Sequence, residues 1–137
     1  MADGPTSLTR DWLTKAAHDL PNARIVSAAL DGPLDTAIYH CQQAAEKAIK
    51  GWLAWRGIGL ERTHDIVRLV QLAAADSPEF AQFEEPGEIL TPYASAFRYP
   101  GLTAQPMPSR EEFDEALRHA EAIYNFVVQR VSADARP

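Results

Sequence analysis

The segment between Pro33 and Arg56 restricts the fold of this chain more than any other part of its sequence. At ~100° per residue on a helical wheel, its apolar side chains fall within one arc. Polar side chains fill the opposite arc, with Glu46 at the edge, and Gly57 and Gly59 follow as stop signals. The apolar arc consists of Ile38, Cys41, Ala44, Ala45, Ala48, Ile49, Trp52 and Trp55. Such a helix must bury one face against other helices, and its three alanines allow a neighbour to approach closely.

One further helix is predicted on each side of this segment. The first begins near Thr9, a residue suited to an N-cap, and continues to Ala29, with a kink expected at Pro21 because proline removes a backbone donor. The other begins after Thr63, which we predict to be a second N-cap. It directs four apolar residues inward, namely Ile66, Leu69, Val70 and Ala73. The first half of the chain is therefore predicted to be helical.

The second half of the chain carries two more helical patterns. A fourth helix is predicted from about Pro86 to Phe97, and a proline-rich connection follows it. Ser109 and Glu112 form a capping-box pattern that opens the fifth helix. No segment alternates in polarity over more than a few residues, so no sheet is expected. Because short turns favour antiparallel neighbours, we expect an all-α fold, an up-and-down antiparallel bundle of about five helices.

Length and composition fit one globular domain. Of the 137 residues, 46% are hydrophobic and 23% charged, and a chain of this size forms a core without disulfide or metal staples. We expect a single domain over residues 8–131, with flexible termini at 1–7 and 132–137. A cytoplasmic location is expected from a single cysteine, no signal-peptide features over Met1 to Leu8, and no apolar run of membrane-spanning length.

The charge distribution narrows the range of ligands. The net charge of -6 argues against broad, non-specific nucleic-acid binding, which depends on neutralising many phosphates. Residues 40–68 differ from the rest, with five basic side chains against three acidic ones. A local site for an anion is therefore allowed in the middle of the chain.

Four segments together resemble the HEPN family, the higher eukaryotes and prokaryotes nucleotide-binding domain. They are Trp12 to Leu20, Tyr39 to Lys50 with the sequence YHCQQAAEKAIK, Thr63 to Ile66, and Phe97 to Pro100. The resemblance implies a helical bundle that usually forms a homodimer. It also implies a genomic association with a minimal nucleotidyltransferase, and in some members a metal-independent ribonuclease within a toxin–antitoxin or defence system.

The ribonuclease branch of that family carries an arginine, four to six intervening residues and then a histidine. No arginine of this chain is followed by a histidine at that spacing. After Arg98, the three positions hold Thr103, Ala104 and Gln105. The usual general acid–base candidate is missing from its place, so we do not expect ribonuclease activity, although the enzymatic question stays open.

Seven residues are candidates for binding an anionic ligand, with nucleotide phosphates expected first. They are His40, Gln43, Lys47, Lys50, His64, Arg98 and Tyr99. Convergence of the basic side chains among them would focus a positive potential on one cleft. The simpler alternatives are a solvated or dimer-pairing face on the second helix, a capping-region hydrogen bond for His64, and packing of Arg98 against Glu84, Glu85 or Glu88.

No metal site or cofactor is predicted, because the four histidines form no i, i+4 pair and the single cysteine has no partner. Cys41 lies on the apolar arc, where a buried, inert thiol is expected rather than a nucleophile.

Three functional hypotheses follow. The first is a dimeric HEPN-type module that binds a partner minimal nucleotidyltransferase or a nucleotide- or RNA-like anionic ligand. The second is a metal-independent endoribonuclease with a divergent site built from His64, Arg98 and Tyr99. The third is an interaction protein with no ligand.

Overall fold

Five α-helices make up most of the molecule. The computed structural model describes residues 4–137 of the chain. The helices are α1 (Pro5–Ala28), α2 (Leu34–Trp55), α3 (Ile66–Asp76), α4 (Glu84–Leu90) and α5 (Arg110–Arg130). Three short 3-10 helices accompany them, at Pro78–Phe83, Thr91–Ala94 and Ala133–Ala135. No strand occurs within residues 4–137, and the predicted all-α bundle of about five helices is confirmed.

Helix α2 is the centre of the bundle and packs against α1, α3 and α5. Its predicted apolar arc is confirmed as core, since Ile38 and Ile49 are fully buried and Trp52 packs against Phe80 with ring centroids 5.0 Å apart. The helix ends at a glycine, as predicted. Gly57 has φ +69°, and the amide of Ile58 donates to the carbonyl of Leu53, which is a Schellman motif.

Helix α1 runs antiparallel to α2. Near the start of α1, the Thr9 hydroxyl donates to the carbonyl of Gly51 near the end of α2. The start of α1 predicted near Thr9 is wrong. The helix begins a turn earlier, with Pro5 in its first turn, where the missing amide has no helical partner to lose. It also continues through Pro21 to Ala28, so proline does not interrupt it there.

The segment 57–65 folds back along α2. Its last residues reach the middle of α2, where Gln42 donates to the carbonyl of His64, while Arg56 at the end of α2 pairs with Asp76 at the end of α3. Helix α3 therefore runs in the same direction as α2. The antiparallel arrangement predicted for neighbouring helices is not found for this pair, because the connecting segment makes the return. The N-cap of α3 is Asp65, which accepts from the amide of Arg68, rather than Thr63.

The predicted single fourth helix from Pro86 to Phe97 is wrong. A 3-10 helix precedes α4, and α4 ends at Leu90, where a second 3-10 helix takes over. Pro92 explains the end, because it has no amide to donate to the carbonyl four residues earlier. The residues that follow form turns and bends up to Ser109.

The final helix begins with the predicted capping box, in which Ser109 and Glu112 each accept from the other's backbone amide. After α5, Ala135 is buried, and Arg10 of α1 donates to the carbonyl of Asp134. These contacts do not test the flexibility of residues 132–137, which stays a prediction. Of the predicted flexible N-terminus, residues 1–3 lie outside the described residues, and α1 already includes residues 5–7. No helix between residues 4 and 137 is long and apolar enough to cross a membrane.

Candidate functional site

Asp19 of α1 is a nearly buried carboxylate that bridges two side chains of α2. Its Oδ1 lies 2.9 Å from Nδ1 of His40, and its Oδ2 accepts from Nζ of Lys47 at 2.8 Å. The Asp19 side chain is 8% exposed. An acid this deep in a protein is normally paired, and here one carboxylate satisfies a histidine and a lysine together.

Glu46 of α2 likewise contacts one histidine and one lysine with its two carboxylate oxygens. Its Oε1 lies 2.9 Å from Nδ1 of His64, and its Oε2 accepts from Nζ of Lys50 at 2.9 Å. Gln42 donates to Oε1 as well, at 3.0 Å. Burial opposes ionisation of Glu46, but hydrogen bonds from Gln42, Lys50 and His64 outweigh it and hold the pKa of Glu46 below its ordinary value.

The polar arc of α2 is therefore not a solvated face. Glu46 and Lys50 stand four residues apart on one helix, and a pair at this spacing on a surface is worth only ~0.2–0.5 kcal/mol. In the structure their side chains are only 5% and 9% exposed. Because α2 is central, α1 covers one part of its polar arc and segment 57–65 covers another. Each lysine of the arc is neutralised by a buried carboxylate.

A cleft of about 310 Å³ opens beside this network, between α2, the start of α3 and the segment after α4. We call it the Arg98 cleft. Four of the seven predicted ligand-binding residues line it, namely Gln43, His64, Arg98 and Tyr99. The lining also includes Tyr39, Asp65, Thr91, Ala94 and Ser95. The structure does not bring His40, Lys47 or Lys50 into the lining, so the predicted convergence of several cations is reduced to Arg98 and His64.

Arg98 lies against aromatic rings rather than against an acid. Its guanidinium carbon is 4.4 Å from the ring centroid of Tyr39 and 5.5 Å from that of Tyr99, both within the range of cation–π contacts. Within residues 4–137 it forms no ion pair, and the pairing with Glu84, Glu85 or Glu88 considered from the sequence is not formed. Among the described residues no carboxylate neutralises the Arg98 guanidinium, whose N–H donors can bind an anion.

The other polar groups of the cleft differ in how far they are already engaged. The Asp65 carboxylate caps α3, and the Thr91 hydroxyl donates to the carbonyl of Gly87 while accepting from the amide of Ile66. Nδ1 of His64 is engaged with Glu46, but the His64 side chain as a whole is 73% exposed. Arg98 and His64 are the two basic side chains in the lining of the cleft.

Three residues that sequence reasoning did not select hold this site together. Tyr39 supports Arg98, Asp19 fixes the first His–Lys pair, and fully buried Gln42 joins Glu46 to the backbone of His64. A signal for Asp19 was present in the sequence, since it shares a face with Ala16 and Ala23 at helical spacing. An acidic residue on an apolar stripe indicates a buried partner.

Cys41 is buried, as predicted, and is no candidate for chemistry. Burial raises the pKa of its thiol to about 12, with the charge of Glu121 acting in the same direction. The thiolate, which is the nucleophilic form, is therefore suppressed at neutral pH.

Fold and cleft together define a class: an all-α bundle whose central helix holds buried carboxylate bridges beside an arginine-centred cleft. The chain belongs to the HEPN domain family, whose model matches residues 9–131. This confirms the family resemblance found in the sequence.

Two solved structures are similar over nearly the whole fold. One is the crystal structure of ST0689, an archaeal HEPN homologue, with 29% identity and a TM-score of 0.73 over 90% of this chain and 98% of that one. The other is the crystal structure of TT1696 from Thermus thermophilus, with 32% identity and a TM-score of 0.75 over the same shares. No curated protein matches the chain.

Proposed function

We propose that this chain is a homodimeric HEPN module that binds an anionic ligand, a nucleotide or RNA phosphate, in the Arg98 cleft. The observation that carries the proposal is the guanidinium of Arg98, which forms no ion pair within residues 4–137 and lies over the ring of Tyr39 at the wall of a cleft of about 310 Å³. A planar guanidinium matches phosphate oxygens with paired donors. The exposed ring of Tyr99 adds a surface on which a base can stack.

The charge elsewhere favours a confined site over general affinity for nucleic acid. The protein carries a net charge of -6, and Lys47 and Lys50 are already paired with carboxylates. Binding through one arginine and one histidine neutralises few phosphates, so its salt dependence should be shallow. We expect a preference for a short or single-nucleotide ligand over long duplexes.

The test is calorimetric titration with AMP, ATP and a short single-stranded RNA. Arg98→Ala should weaken binding about 10- to 100-fold, the equivalent of losing one charged hydrogen bond of ~1.5–3 kcal/mol. Arg68→Ala is the matched control, because Arg68 is paired with Glu61 and lies outside the cleft lining. Equal binding by wild type and Arg98→Ala would remove Arg98 from the site. If the wild type binds none of these ligands, the hypothesis that remains is an interaction protein with no ligand.

We also propose that the module pairs with a minimal nucleotidyltransferase, in a toxin–antitoxin or defence context. The support is family membership, together with the resemblance in the sequence. Co-expression with a nucleotidyltransferase encoded beside it should yield a stable complex.

Light scattering of the chain alone should give twice its 15.1 kDa mass at micromolar concentration, and a monomer would contradict the homodimer.

A second candidate function is metal-independent cleavage of RNA. One observation favours it: His64 lines the same cleft as Arg98 and Tyr99, although it is far from both in the sequence. A histidine could move protons while an arginine stabilises the phosphate charge. The family's arginine–histidine spacing is absent, so we expect no meaningful cleavage. Cleavage in the presence of EDTA that is lost in both Arg98→Ala and His64→Ala would establish the second function.

A further inference from the structure

His64 is held at one edge of its ring. Nδ1 lies 2.9 Å from Oε1 of Glu46, whereas the side chain is 73% exposed. The two nitrogens of an imidazole point in widely different directions, so Nε2 faces away from Glu46 and from α2. Because His64 lines the Arg98 cleft, Nε2 is the nitrogen available to a molecule bound there.

Glu46 is itself fixed and kept ionised. The residue is 3% exposed, Lys50 binds its second oxygen, and Gln42 donates both to Glu46 and to the backbone carbonyl of His64. The ring and the backbone of His64 are thus both attached to α2. Burial raises the pKa of Glu46, but the hydrogen bonds from Gln42, Lys50 and His64 prevail and lower it, so the carboxylate is present at neutral pH as an acceptor only.

We propose that Glu46 is the positioning residue of the Arg98 cleft: its carboxylate keeps a proton on Nδ1 of His64 and leaves Nε2 as the ligand-facing nitrogen. The effect of Glu46 on ligand binding rests on the proposed function, whereas the position of the proton on the His64 ring can be measured without a ligand. A neutral ring then accepts a hydrogen bond at Nε2, and a protonated ring donates one to a phosphate oxygen. Without Glu46, a solvated imidazole would carry its proton mainly on Nε2.

The ring is measured first, without a ligand. Long-range 1H–15N correlation spectra, recorded over a pH series, report which nitrogen of His64 carries the proton when the ring is neutral. Wild type should show the Nδ1–H form. The double variant Glu46→Leu/Lys50→Met removes the acceptor and the buried cation together, because an apolar pair of similar volume is tolerated better than a single unpaired charge. It should shift His64 toward the Nε2–H form.

Three further variants make the result specific. Glu115→Leu removes an acid beside a histidine outside the cleft lining, His119, and should leave the signals of His64 unchanged. Lys50→Met keeps the carboxylate and should retain the Nδ1–H form. Glu46→Gln serves if the double variant does not fold, and should give a mixture of both forms, since an amide oxygen is a weaker acceptor. Wild-type signals of His64 in every Glu46 variant would overturn the proposal.

Titration with AMP then separates this inference from the proposed function. We expect the double variant to bind AMP about tenfold more weakly than Lys50→Met alone. Equal affinities for AMP would overturn the positioning role even if the ring changes. If wild type binds no AMP, the proposed function fails, and the ring measurement still decides whether Glu46 orients His64.

Discussion

Replacing Asp19 with alanine is expected to destabilise the fold by about 2–3 kcal/mol. Removing one partner of a buried ion pair leaves an uncompensated charge and typically costs ~3–5 kcal/mol. Asp19 is 8% exposed, but the Lys47 side chain is 23% exposed and can regain part of its hydration by extending outward. The expected loss therefore lies below that range. His40 also loses the acceptor of its Nδ1.

A double-mutant cycle isolates the ion pair from the helix in which it lies. The cycle compares Asp19→Ala, Lys47→Met and the double variant, with coupling expected at about 1–2 kcal/mol because the double variant buries no lone charge. Urea unfolding followed by circular dichroism is the assay. With m of ~2 kcal/mol/M, the midpoint for Asp19→Ala should fall by about 1–1.5 M. Protein concentration is held constant, because a dimer would make the midpoint depend on it.

A small effect would refute this reasoning. If Asp19→Ala shifts the midpoint by less than about 0.25 M, the pair behaves like an exposed salt bridge of ~0.5 kcal/mol. If the double variant loses more free energy of unfolding than the sum of the two single losses, Asp19 and Lys47 do not stabilise each other. In either case the buried carboxylate bridge would not contribute to joining α1 to α2.

Other residues give three further predictions. Gly57→Ala should lower the free energy of unfolding by about 1 kcal/mol in thermal unfolding, because Gly57 has φ +69°. Gly59 has no positive φ, so Gly59→Ala is the control and should change stability little. The pKa of Glu46 is lowered, with its hydrogen bonds outweighing burial, so its stabilisation is present above the unfolded-state pKa of 4.5 and is lost as pH falls through the lower folded-state value. The difference in melting temperature between wild type and Glu46→Gln should accordingly hold at neutral pH and narrow as the pH falls below 4.5. Cys41 should not react with a thiol reagent in the folded protein, since burial raises its pKa to about 12, and should react fully in denaturant.

The end of the fourth helical region shows where local reasoning is insufficient. The pattern from Pro86 to Phe97 is apolar enough for one helix, yet the chain changes to a 3-10 helix after Leu90. Gly87 lies against α3, where an added Cβ would be 3.3 Å from the amide of Val67. Pro92, which ends α4, is visible in the sequence, but the packing of Gly87 against α3 is not, because periodicity within one segment contains no information about neighbouring elements.

The cleft was only partly predictable for a related reason. Gln43, His64, Arg98 and Tyr99 were selected from the sequence and line one cleft, but Tyr39, which lies under Arg98, was not selected. Residue types suited to binding an anion are visible in a sequence. The neighbour on which each one packs is not, when that neighbour is tens of residues away.

The sequence by itself determined the helical class of this protein, the apolar arc of α2, the capping box of α5 and membership of the HEPN family. The first three of these properties depend on spacings within one segment, which the helical period of 3.6 residues translates directly into faces and ends. Family membership follows instead from the resemblance of four segments along the chain. Tertiary structure alone decided that Asp19 meets Lys47 and that Glu46 meets His64. Those pairs depend on the register between elements, which is set by close contacts such as Gly51 against Leu13, because packed side chains fit in few relative positions.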